Sequence, residues 1–233
     1  MGHLHLSSTD VEAQRKFWVD FMGAKITKLG QADVYKFRDA IVVVTKKPSV
    51  TGGTDGSAVN HLGFKVKDLD AYKASCVQHG FVVERELKET RQAFVMGPDK
   101  VRVELSEDKT LDIPVAHHHI HFFNNAHLET QAWYGKMFGA KPGRRGKFDA
   151  ADLPGVNLTF SGVEKATEPT KGRSVDHIGF EIQNLEQFVK ELEAKGVKFD
   201  IPFRKIPALG LNIAFFTDPW GTYVELTEGL NKL

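Results

Sequence analysis

The chain repeats itself, and the repeat limits its fold more than any other feature. His3-Leu4-His5-Leu6 returns 116 positions later as His119-Ile120-His121-Phe122. At the same offset Phe17-Trp18 becomes Trp133-Tyr134, Met22-Gly23-Ala24 becomes Phe138-Gly139-Ala140, and His61-Leu62-Gly63-Phe64 becomes His177-Ile178-Gly179-Phe180. Further on the offset grows to 121, because Val103-Glu104-Leu105 matches Val224-Glu225-Leu226; a five-residue insertion near Ile206 to Leu211 accounts for it. Chance does not hold one offset over so many landmarks, so the chain is a tandem duplication with its second half beginning near Pro114. Each half divides again at 58 residues, which gives four modules opening near His3, His61, His119 and His177. We expect two domains of two modules each, residues 1–112 and 113–233.

Inside a module the pattern predicts βαβββ. The opening strand alternates, so His3 and His5 share one face while Leu4 and Leu6 share the other. His117, His119 and His121 likewise oppose Ile120 and Phe122. The aliphatic face should meet the helix layer, which leaves the histidines on the open side. Thr9 with Glu12 forms a plausible capping box before a stripe of Val11, Phe17, Trp18 and Phe21. Asn184 with Gln187 repeats the pattern, Asp68 can cap the second helix, and Gly80 and Gly196 stand where helices should stop. Ala40 to Thr45, Gly155 to Phe160, Val101 to Leu105 and Thr222 to Leu226 read as closing strands.

Composition excludes several function classes. A net charge of +1 offers no basic field to nucleic acid. A single cysteine, Cys76, rules out an internal disulfide and a cysteine-based zinc cluster. No apolar run reaches the ~20 residues of a membrane span. We therefore expect a small-molecule substrate, no nucleic acid and no membrane, with a homodimer left open. Met1 stands two residues before a strand, so the protein is expected to be cytoplasmic, or exported with a leader that this chain lacks.

The chemistry should lie with the recurring His and Glu. One His opens each module, and Glu104 and Glu225 sit between strand hydrophobes at the ends of modules two and four. A lone strand His or Glu is usually a solvated or hydrogen-bonded residue, and duplication alone could copy inert ones. Here, however, the surrounding sequence has diverged while these residues remain. Val44 and Thr159 stand at the matching place in modules one and three, so each site holds two His and one Glu. Such a triad suits Fe2+, Mn2+, Zn2+, Ni2+ or Co2+ and leaves coordination positions open. The expected metal ligands are His3, His61, Glu104, His119, His177 and Glu225. If adjacent modules pair, the triads are His3/His61/Glu104 and His119/His177/Glu225; if modules exchange partners, they are His3/His177/Glu225 and His119/His61/Glu104. His5, His117 and His121 share the inner face as hydrogen-bonding or acid–base groups, or as polar lining. His5 and His121 are the catalytic candidates, with Tyr223, which shares a face with Glu225 and would orient a substrate oxygen or simply form a wall. His118 points the other way by alternation; His79 and His127 lie at helix ends; Cys76 belongs to the core. Arg144-Arg145-Gly146-Lys147 reads as a solvated turn before an anion site.

These residues resemble the vicinal oxygen chelate superfamily, which includes glyoxalase I, extradiol and hydroxyphenylpyruvate dioxygenases, fosfomycin resistance proteins and bleomycin resistance proteins. The resemblance covers nearly the whole chain. It rests on His3, His61, His119 and His177, on Asp218-Pro219-Trp220-Gly221, and on the two Val-Glu-Leu strands. It implies an α+β fold of four βαβββ modules in two tandem glyoxalase-like domains, with curved mixed sheets and helices outside. It also implies a metal that chelates two substrate oxygens. Three protein ligands match the dioxygenases better than glyoxalase I, which uses four, so Fe2+ is favoured and a dioxygenase-like reaction is expected. A redox-neutral lyase, isomerase or epimerase is the alternative, and a non-enzymatic binding protein of the bleomycin-resistance kind is another. The chain departs from the extradiol pattern at Phe215, at Ile206 and across Gly155 to Gly162, where that group carries a catalytic Tyr and two His.

Overall fold

The computed structural model describes residues 1–233. Module one holds β1 (His3–Ser8), α1 (Val11–Arg15) continued by a π turn (Lys16–Phe21), β2 (Lys25–Leu29), β3 (Ala32–Lys36) and β4 (Ile41–Lys46). Module two holds β5 (Val59–Val66), α2 (Leu69–Gln78), β6 (Val82–Leu87), β7 (Gln92–Met96) and β8 (Arg102–Glu107). Module three holds β9 (Val115–Asn124), α3 (His127–Phe138), β10 (Lys141–Arg145), β11 (Phe148–Leu153) and β12 (Val156–Gly162). Module four holds β13 (Val175–Glu181), α4 (Leu185–Ala194), β14 (Phe199–Ile206), β15 (Leu211–Thr217) and β16 (Tyr223–Glu228). The inserted residues form a 3-10 turn, Pro207–Leu209, which lengthens the β14–β15 hairpin.

The modules exchange partners. One eight-stranded sheet runs β14-β15-β16-β13-β1-β4-β3-β2, joining modules one and four; the other runs β10-β11-β12-β9-β5-β8-β7-β6, joining modules two and three. At each seam two histidine strands pair antiparallel, β1 with β13 and β5 with β9, while β4, β8, β12 and β16 flank them in parallel. The division at residue 112 falls between β8 and β9, yet each half contributes one module to each sheet.

The main core, 41 buried residues, takes the aliphatic faces of both sheets together with the helices, and a small second cluster of Val34, Ile41, Leu211 and Leu230 lies apart from it. Trp18, on the π turn, touches both Phe37 beside β3 and Phe64 on β5, so the helical layer lies between the sheets. Burying such aromatic and aliphatic side chains, at roughly 1.5–3 kcal/mol each, drives the assembly. It also turns the two histidine faces away from each other. Asp99, held in the left-handed region at φ 52°, accepts hydrogen bonds from Ser8, Thr9 and Gln14 and so fastens module two to module one.

Local signals hold in part. Asp68 caps α2 through Ala71 N–H, and Gly80 and Gly196 take positive φ just past their helices. The cap of α1 is Asp10, whose Oδ1 accepts from Ala13 N–H, because Thr9 is drawn to Asp99. Asn184 occupies its expected position but in the left-handed region, with no cap bond from its side chain. Cys76 is buried, and burial pushes its thiol up to about 11. No helix is long and apolar enough to cross a membrane.

Candidate metal centres

Partner exchange builds two clusters of three His and one Glu, each with ligand atoms within 4.8 Å of one another: His3, His5, His177 and Glu225, and His61, Glu104, His119 and His121. The exchanged triads are therefore the ones brought together. His3 lies against Gly179 and His119 against Gly63 across the seams. An added Cβ at Gly179 would stand 2.1 Å from His3 Nδ1, and one at Gly63 would stand 1.9 Å from His119 Cε1. The glycine after each His-Ile or His-Leu pair is thus the space into which the partner module's imidazole fits.

In the first cluster the Nε2 atoms of His3 and His177 lie 2.9 and 3.0 Å from Glu225 Oε2. His177 Nδ1–H donates to Asp176 Oδ1 at 2.7 Å, which leaves Nε2 with a lone pair facing the carboxylate. Two ligand atoms each about 2.1 Å from one ion and at right angles are about 3 Å apart, so this spacing fits a shared divalent metal. Burial works against the charge on Glu225, yet His3 and His177 hold its carboxyl well below the usual range. Burial also opposes a charge on His177, but Asp176 and Glu225 outweigh it and hold the imidazole above its ordinary value. No Lys or Arg pairs with Glu225, so its charge meets imidazoles alone.

His5 hydrogen-bonds Thr45 Oγ1 through Nε2 at 2.7 Å, and its ring lies 4.2 Å from that of His177. In the second cluster His121 hydrogen-bonds Ser161 at 2.8 Å and turns Nδ1 to His61 Nε2 at 3.1 Å. Each of these two histidines belongs to a group that could hold a metal ion. The β1–β4 register pairs His5 with Val43, so Val43 rather than Val44 is on the histidine face; Val44 packs on the core.

His61 repeats His177: Nδ1–H donates to Asn60 Oδ1 at 2.9 Å, and Nε2 is 3.0 Å from Glu104 Oε2. His119 Nε2 is 3.6 Å from the same oxygen. Burial pushes His119 down to about 3. His118 does not stand clear of the site, because its Nδ1 lies 3.0 Å from His119 Nδ1. His117 lies buried against Phe64 with neither ring nitrogen bonded. His79 bonds Ser75 at the end of α2, and His127 faces Asp149 at the start of α3.

Tyr223 stacks on Phe215 beside His177, and burial pushes its phenol up to about 12. Arg145 is not part of a solvated turn: its guanidinium reaches Thr159 and Glu104. The sequence reading missed it because strand β10 carries three basic residues and only register shows which turns inward. Asp176 and Asn60 were missed too, although each immediately precedes a paired His.

Residues 116–226 match the family described as "Glyoxalase/Bleomycin resistance protein/Dioxygenase superfamily". No curated protein sequence matches the chain. Among solved structures, glyoxalase I from Zea mays superposes with a TM-score of 0.77 at 18% identity, covering 97% of this chain and 91% of that one. A candidate dioxygenase from Bacillus subtilis superposes with a TM-score of 0.76 at 12% identity, covering 97% of this chain and 84% of that one. Identities this low show a shared fold. The sequence match over the second half and the shared fold over the whole length make the chain similar to the glyoxalase/bleomycin resistance/dioxygenase group.

Proposed function

We propose that this protein is a divalent-metal-dependent enzyme whose working centre is His3, His177 and Glu225, with His5 beside them. Its substrate is a small molecule that chelates through two neighbouring oxygens. One observation carries the reading: a buried carboxylate with no Lys or Arg partner stands 2.9 and 3.0 Å from two imidazole nitrogens. When bound, a divalent ion supplies Lewis acidity to the chelating oxygens and, as Fe2+, a place for dioxygen.

The residues around the centre have separate roles. Asp176 fixes the tautomer of His177, and Thr45 fixes the ring of His5. Ile41, Val43 and Phe215 pair in register with His3, His5 and Glu225, and so give the cup apolar walls. The substrate should therefore carry an apolar body behind its oxygens. Tyr223 keeps its proton, since burial pushes it up to about 12, and can donate to a substrate oxygen.

An oxygen-dependent reaction fits these groups best. With His5 among the ligands the count is four, as in the glyoxalase I pattern, so what favours oxygen chemistry is that little then remains to move a proton: Tyr223 is too weak an acid, and Asp176 is engaged by His177 and by Gly172 N–H. A second reading rests on His5, a half-buried residue of the cluster. Left outside the coordination shell, it is a base beside the ion, and the reaction is then a redox-neutral lyase, isomerase or epimerase step.

The test loads the protein with Fe2+ and offers apolar catechols and 2-oxo acids while dioxygen uptake is followed. Uptake that is lost in Glu225→Gln supports the oxygenase. Anaerobic turnover with Zn2+ or Co2+, lost in His5→Gln, establishes the second reading instead. Tight binding without turnover, unchanged after chelation of the metal, overturns both.

A further inference from the structure

The second cluster copies the ligands of the first and departs from it in what surrounds them. Where the first half has Leu29, Ile41 and Val43, the second has Arg145, Asn157 and Thr159; where module four has Ile213, module two has Gln92. These polar replacements form one chain of hydrogen bonds. Thr159 Oγ1–H donates to Asn157 Oδ1 at 2.7 Å and accepts from Arg145 Nε at 2.9 Å. Arg145 Nη1 donates to Glu104 Oε1 at 3.3 Å, and the same oxygen accepts from Gln92 at 2.7 Å and Ser106 at 2.9 Å. Glu225 has no guanidinium. The second cluster is also sealed: His119 is 0% exposed and Glu104 3%, against 9% for Glu225.

We infer that Arg145 is the internal cation of the second cluster, standing in for the charge a metal supplies at the first. A guanidinium on the shared carboxylate repels an incoming dication and already answers the buried negative charge. The second cluster is thus a latent centre that braces the seam between β5 and β9. The first binds a divalent ion at least about 100-fold more tightly, because one extra positive charge in a partly buried site is worth several kcal/mol. The inference rests on the proposed centre at His3, His177 and Glu225, and its test keeps the two separable.

Chelator-stripped protein is dialysed against Co2+ and the bound metal counted by elemental analysis. Native protein and Glu104→Gln are expected to hold one equivalent, and Glu225→Gln none. Arg145→Leu, which installs the residue of the first half, is expected to hold two, with the second lost in Arg145→Leu/Glu104→Gln. Two equivalents in the native chain, one of them lost in Glu104→Gln, overturn the inference. So does a folded Arg145→Leu that binds only one. Should Arg145→Leu fail to fold by near-ultraviolet circular dichroism, Glu104→Gln decides alone: retention of the metal supports the inference, and loss overturns it. A native chain without metal whose Arg145→Leu variant gains one at Glu104 would sink the proposed function and the affinity ratio with it, and leave standing Arg145 as the cation that keeps metal from the second cluster.

Discussion

Gly179→Ala should disable the first centre without touching any ligand. The added methyl would stand 2.1 Å from His3 Nδ1 and 2.2 Å from Cε1, where real Cβ contacts essentially never fall below 3.0 Å. Gly179 pairs with His3 across the β1–β13 seam, so its backbone has little room to yield. The imidazole must retreat by about 1 Å, since close-packed interiors absorb such overlap only by moving side chains. An Nε2 displaced that far cannot keep a bond of about 2.1 Å, and one ligand is lost. Metal affinity should fall about 100-fold, or about 2.7 kcal/mol. The assay is competition for Co2+ against a chelator of known affinity. Gly63→Ala is the control: its methyl would meet His119 at 1.9 Å, in the cluster assigned to Arg145, and should lower thermal stability while leaving the metal affinity unchanged. A folded Gly179→Ala with native affinity would refute the reasoning.

Three further outcomes follow from the geometry. Asp176→Asn converts the partner of His177 into the kind found beside His61 and should weaken metal binding about tenfold, read by the same competition. Thr45→Val removes the bond that orients His5 and should lower turnover more than it alters folding, checked by comparing kcat with the thermal midpoint. Asp99 sets an acid limit on stability. Burial pushes its carboxyl up, but bonds from Ser8, Thr9 and Gln14 outweigh that and hold it below the usual value. A depressed pKa contributes stability that is present above about pH 4, the unfolded carboxylate value, and lost as pH falls through the folded one. Asp99→Asn should flatten that part of the urea-midpoint profile, and an unchanged slope would remove Asp99 from the explanation.

Much of this was legible in the residues. The repeat exposed the four modules, because each must spend the same residues on the same strand faces. The ligand candidates followed from alternation, which sets His3 and Glu225 against Leu4 and Leu226. Which modules pair was not legible, since both arrangements bring two His strands and one Glu strand together. The strand registers decide it: β1 pairs with β13 and β5 with β9. Alignment by repeat offset picks Val44 where the structure has Val43, because a one-residue slip in a strand swaps its faces. The sequence places His5 and His121 beside the ligands but does not show which ring nitrogen Thr45 or Ser161 will claim, and so does not show that each falls in a group that could hold a metal ion. Arg145 was hidden for a plainer reason. A basic residue at a strand end is usually solvated, and only the β10–β11–β12 register brings it over Thr159 and Glu104.

The most direct measurement is a Co2+ titration of chelator-stripped protein, followed by visible absorption and repeated on Glu225→Gln. Absorption bands of a bound ion that saturate at one equivalent per chain, and are absent from the folded variant, are expected. No uptake by the native protein, or the same saturating bands in Glu225→Gln, would contradict a metal centre at His3, His177 and Glu225.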